Sequence, residues 1–71
     1  MSVGALVKFK WWSSYRAPSV MTDDTGHVTW HEIQPGDKGI ILYAADNDIM
    51  IVLFSSVDSI LKVHRLMLEV A

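Results

Sequence analysis

The stretch from Gln34 to Phe54, QPGDKGIILYAADNDIMIVLF, holds two apolar runs, each introduced by a turn signal, and it leaves this chain few folds to choose from. Pro35 presets φ for the first corner of a turn and Gly36 tolerates the positive φ of the second. Pro35-Gly36 therefore favours a type II turn, and the chain reverses before Lys38. Gly39 to Ala44 and Ile49 to Phe54 are rich in β-branched and aromatic side chains, which suit a pleated strand. Between them, the oxygens of Asp46, Asn47 and Asp48 can bond nearby backbone N–H groups and close a corner. A continuous apolar run also fits a buried helix, but both runs are short and bounded by turn residues, which decides for strands.

Alternation adds a demand. Ile40 and Leu42 lie on one side of the first strand, Ile41 and Tyr43 on the other. In the partner strand Ile49, Ile51 and Leu53 oppose Met50, Val52 and Phe54. Neither side is polar, so the hairpin has to be covered on both faces, by the rest of the chain or by another copy.

A chain of 71 residues has room for one domain and hides only about 60% of its unfolded surface. With no cysteine there is no disulfide and no thiolate metal site, which suits a reducing compartment. Hydrophobic residues at 51% against charged residues at 20% exclude a disordered chain. The apolar surplus over what so small a core can hide points to self-association. A formal charge of −2 weighs against non-specific nucleic-acid binding, which needs clustered cations. No stretch approaches the roughly 18 apolar residues of a bilayer span. The N-terminus lacks a basic leader followed by a long apolar region, so the expected location is cytoplasmic.

Taken in order, Val3, Ala5, Val7 and Phe9 alternate with Gly4, Leu6, Lys8 and Lys10 as a half-buried first strand. Residues 10–34 form a long insertion, and insertions of that length are often functional. Within it, Ser19–Thr22 and His27–His31 flank Asp23-Asp24-Thr25-Gly26, an arrangement suited to a small hairpin with Gly26 at positive φ. Pro18 argues against a helix crossing this point. After the central hairpin, Ile60–His64 reads as strand four, Arg65-Leu66-Met67 as one turn of 3₁₀ helix, and Leu68-Glu69-Val70 as the closing strand. Five short strands in one small all-β domain favour a barrel or a pair of packed sheets.

The candidate partner-binding residues are Trp11, Trp12, Tyr15, Arg16 and Trp30, all in the insertion. As an aromatic shelf they would dock a proline-rich peptide or stack bases. The competing use is as a cap on the core, which at least two of the rings are expected to serve. In an extended chain one ring of Trp11-Trp12 must face away from the core, which makes it the best contact residue. His27, His31 and Glu32, with Asp23 and Asp24 nearby, are the one group with metal-ligand chemistry. On a strand, though, His27 and His31 would lie roughly 13 Å apart, too far to share an ion. Asp46, Asn47 and Asp48 match no complete calcium loop. Neither a Gly-x-Ser-x-Gly elbow nor a phosphate loop is present. No catalytic residue, cofactor or small-molecule substrate is expected.

Four segments carry a resemblance: Gly4-Ala5-Leu6-Val7-Lys8, Pro35 to Leu42, Val52-Leu53-Phe54, and Lys62 to Val70. Together they resemble small SH3-like barrel proteins of tailed bacteriophages, especially those of marine cyanobacteria, which in turn look like relatives of the KOW domain. The resemblance covers both ends and the middle, leaving residues 10–34 outside it. It implies a five-stranded SH3-like barrel with a long loop or hairpin inserted after strand one, located in host cytoplasm. The expectation is a non-enzymatic interaction module that self-associates or binds a host or virion protein. The alternative is a KOW-like nucleic-acid binder using Lys8, Lys10, Arg16 and the same aromatics, although the acidic balance departs from that pattern. A metal-dependent enzyme built on His27 and His31 ranks last.

Overall fold

The computed structural model describes residues 2–22 and 24–71. Its strands are β1 (Leu6–Phe9), β2 (Tyr15–Thr22), β3 (Val28–Ile33), β4 (Lys38–Ala44), β5 (Ile49–Phe54), β6 (Ser59–His64) and β7 (Leu68–Val70), with one 3₁₀ turn at Arg65–Met67. They form one antiparallel sheet in the order β3-β2-β6-β5-β4-β1-β7. Among the described residues no helix is long and apolar enough to cross a membrane.

The all-β expectation holds, but a closed barrel of five strands does not. The sheet has seven strands and is open, with β3 and β7 at its edges. Two pairings explain the difference. The insertion folds as the β2–β3 hairpin and joins the sheet through Ser19 opposite Leu61 on β6, which adds two strands. At the other end the 3₁₀ turn takes up Arg65–Met67 and leaves β7 only three residues long. Pro18 sits where β2 changes partner: it is the last residue in regular register with β3 before a shift that runs to Thr22. A residue without an N–H is tolerated at such an irregularity.

The central hairpin pairs Gly39 to Ala44 with Phe54 to Met50. A register shift between Ile41 and Tyr43 breaks the strict alternation expected through Leu42. The first strand also differs, beginning at Leu6 instead of Val3. Gly4 takes φ +83°, which ends the extended run and leaves Val3 exposed.

The core comprises Val7, Phe9, Ala17, Ile33, Ile41, Met50, Val52, Phe54, Leu61, Val63, Met67 and Leu68. Ala17 and Ile33 belong to the hairpin and are fully buried. The inner face of β2–β3 thus lies over the main sheet as its lid, and His31 ties it down, its Nε2 3.2 Å from the Ser59 hydroxyl of β6.

The corners follow local chemistry. At Gln34–Asp37 the Asp37 N–H donates to the Gln34 carbonyl at 3.0 Å and Gly36 takes φ +95°, as a type II turn requires. At the other corner the Asp46 carboxylate accepts from the backbone N–H groups of Asp48 (2.8 Å) and Ile49 (2.9 Å). These two bonds, the one from Asp48 first, hold the Asp46 carboxyl below its usual value, with a smaller contribution from His64. A carboxylate depressed in the folded state adds stability above its unfolded pKa and loses it as the pH falls through the folded value. The urea midpoint of Asp46→Asn, whose side-chain oxygen still accepts, is therefore expected below that of the native protein at pH 7. The gap should begin to close as the pH falls below about 4 and vanish below the lowered folded value, and a gap as wide in strong acid as at pH 7 would place the effect elsewhere.

Candidate partner-binding site

The five insertion residues do not form one shelf. Trp11 is half-buried and packs against the core, whereas Trp12, next in the chain, is 83% exposed. Tyr15 lies on the inner face of the hairpin with its ring centroid 6.3 Å from that of Phe9. Trp11 therefore serves the core, whereas Tyr15, although near Phe9, keeps 38% of its surface exposed. Arg16 stands opposite Glu32 and Pro18 opposite Trp30 in the β2–β3 register. Alternation places these four on the outer face of the hairpin, since Ala17 between them is buried in the core. Trp30 is 53% exposed on an edge strand. The exposed elements of the site are thus Trp12 in the β1–β2 connection, Arg16 and Trp30 on either side of the half-buried Pro18, and, on the other face, part of the Tyr15 ring.

Two of the cations face acids. Lys8 forms an ion pair with Glu69 at 3.2 Å, and Arg16 faces Glu32 across the hairpin. Lys38 is the direct neighbour of Lys8 on β4. The basic residues of the nucleic-acid alternative are thus offset by acids at two of its three cationic positions.

The histidines are engaged separately. His27 Nδ1 lies 2.8 Å from the Thr25 hydroxyl, His31 reaches Ser59, and His64 Nδ1 accepts from the Leu66 N–H at 3.1 Å, capping the 3₁₀ turn. Asp23 lies outside the described residues. Among those described, no three His, Asp or Glu side chains come close enough to hold a metal ion.

A second surface needs the register to be seen. On the face of the main sheet away from the core, Leu6, Ile40, Leu53 and Ile60 stand opposite one another across β1, β4, β5 and β6. Leu6 is 48% and Ile40 43% exposed, while Leu53 and Ile60 are half-buried. Beside them opens a groove of about 200 Å³ lined by Leu6, Ile40 and Leu53 together with Lys38 and Asp58. Its signal in the sequence is the absence of a polar face in the central hairpin.

No protein-family model, characterised protein or solved structure matches this chain.

Proposed function

We propose that this chain is a non-enzymatic interaction module of SH3-like type, related to small bacteriophage proteins, that docks a protein partner on the outer side of its inserted hairpin. Support for the fold part is that the segments carrying the resemblance fall on or beside β1, β4, β5, β6 and β7, with the 3₁₀ turn ahead of the last strand and the β2–β3 hairpin occupying the insertion.

The observation that carries the functional part is the contrast within Trp11-Trp12. One ring is used by the core and the adjacent one is left 83% exposed. A large exposed aromatic adds little to folding and is the kind of side chain that dominates protein contacts. Trp30 and Arg16, both of types enriched at binding hot spots, stand near each other on the outer face.

Selection of a displayed peptide library on the immobilised protein tests this. Enriched peptides should bind the native protein and lose at least about tenfold in affinity to Trp12→Ala/Trp30→Ala, a loss of 1.4 kcal/mol or more. Unfolding midpoints of that variant should stay within about 0.5 kcal/mol of native per site. Equal binding by native and variant protein would overturn the reading. Salt-sensitive binding of a labelled single-stranded oligonucleotide in place of peptide would establish the KOW-like alternative instead.

A further inference from the structure

We infer that the non-core face of β1, β4, β5 and β6 is a self-complementary surface on which a second copy of this chain docks about a two-fold axis. This surface uses strands that the hairpin site does not, so it stands or falls separately from the proposed function.

The cross-strand row runs Leu6, Ile40, Leu53, Ile60. Its two prominent members lie at one end, 48% and 43% exposed, and its two recessed members at the other. A two-fold axis parallel to the strands and passing between β4 and β5 reverses the row. It then sets Leu6 over the partner's Ile60 and Ile40 over the partner's Leu53, prominent on recessed in both directions. That is the reciprocity an isologous contact requires. The groove beside the row, about 200 Å³, is below the roughly 300–1,000 Å³ of small-molecule sites, and suits inserted side chains better than a free ligand.

Charge supports the same operator. Gly39 stands opposite Phe54, and Phe54 opposite Ser59. Lys38 and Asp58, each one residue before the end of that line, therefore sit at the same level along the strands. Neither is ion-paired within the chain among the described residues. Lys8 stands opposite Lys38 on that level. Reversing the row therefore sets the partner's Asp58 over β1 at Lys8, which already pairs with Glu69. Lys38 is left one strand, about 4.8 Å, to the side, with its charge free to turn to that carboxylate, and by symmetry the contact occurs twice. Asp58 also holds φ +49°, the one positive φ among described residues other than glycine. It therefore presents its carboxylate from a backbone conformation that glycine would adopt with less strain.

Four strands span about 19 Å and six residues about 20 Å. Each face measures about 380 Å², so two hide on the order of 800 Å² between them, below the roughly 1,200 Å² at which stable specific interfaces begin. Such a dimer is expected to be weak and reversible.

Sedimentation equilibrium of the full chain from about 10 to 500 μM, concentrations on the order of those a weak, transient contact requires, tests the inference. The native protein should pass from monomer to dimer across this range. Ile40→Lys should stay monomeric with an unchanged far-UV circular dichroism spectrum, and Leu6→Lys serves if the first variant does not fold. Lys38→Asp should weaken the dimer about tenfold, and Lys38→Asp/Asp58→Lys should restore it to within about threefold. If the double variant fails to fold, a native dimer that weakens as salt rises from 50 to 500 mM reads the same pairing, with salt values on the order of those that screen exposed charges. A native protein monomeric at the top concentration overturns the inference, as does a dimer that survives Ile40→Lys, an unrestored charge swap or a salt-insensitive dimer. Dimer loss in Trp12→Ala/Trp30→Ala also overturns it, moving self-association to the hairpin while leaving the proposed function intact.

Discussion

Phe54→Ala is expected to bring this protein to the edge of unfolding at room temperature. Phe54 is fully buried at the end of β5. Its strand neighbours are Gly39 on β4 and Ser59 on β6, both small, so neither can expand into the space its ring would leave. Truncating a buried phenylalanine costs about 3–5 kcal/mol, with the upper part of that range where the site cannot collapse. Domains are stable by roughly 0.05–0.15 kcal/mol per residue, which for the 71 residues here amounts to about 4–11 kcal/mol. One substitution therefore removes between a third and all of the stability, and there is no disulfide to offset it. In thermal unfolding followed by circular dichroism, Tm should fall by about 15–30 °C, since 1 kcal/mol shifts a domain of this size by roughly 4–8 °C. Ile40→Ala on the opposite face, where the side chain is 43% exposed, should cost far less under the same conditions. Equal losses at the two positions would mean that the two faces are equally covered, contrary to the fold described.

What could be read in the chain beforehand divides along the range of the interactions involved. The two central strands and both their corners were legible because each rests on local chemistry. Asp46 reaches N–H groups only two and three residues ahead, and Gly36 needs only its own positive φ. The same holds for the 3₁₀ turn at Arg65–Met67, whose cap comes from the adjacent His64. The failures are long-range or break a period. Strict alternation cannot anticipate the irregularity between Ile41 and Tyr43. Nor does anything near Ser19 announce that it will stand opposite Leu61, the pairing that turns an insertion into two further strands of an open sheet.

The candidate site shows the same division. That one of Trp11 and Trp12 must turn outward follows from adjacency alone, and Trp12 is the one that does. That Trp30 shares a face with Arg16 while Tyr15 lies beneath depends on the β2–β3 register, which no residue type encodes. The Leu6–Ile60 row draws on three pairings at once. From the sequence it appears only as a surplus of apolar residues in need of cover.

Gly39→Ala is expected to be the most damaging of the glycine substitutions, although Gly39 is the one glycine here whose φ is not positive. Elsewhere the cost of a side chain is conformational: Gly4, Gly26 and Gly36 have positive φ, and an added Cβ would meet nothing within 4 Å. At Gly39 the cost is steric. An added Cβ would lie 2.6 Å from Val52 Cγ1, 2.8 Å from the Leu53 carbonyl oxygen and 3.2 Å from Phe54 Cδ1. Val52 is β-branched and stiff at χ1, and the carbonyl belongs to the β4–β5 ladder, so neither can swing aside. Relief requires β4 and β5 to separate where Gly39 pairs with Phe54, which loosens the core around the same ring. Overpacking of this kind costs about 1–3 kcal/mol and occasionally more. The entropy gained by restricting the unfolded chain, about 0.4–1 kcal/mol, offsets only part of it. Urea unfolding should therefore show Gly39→Ala destabilised by about 2 kcal/mol, and Gly39→Val more still, since it adds two methyl groups where one carbon already collides. An unchanged midpoint for Gly39→Ala would mean that β4 and β5 are not held this close. The register that places Ile40 beside Leu53, and with it the inferred dimer face, would then fail together with the strand pair.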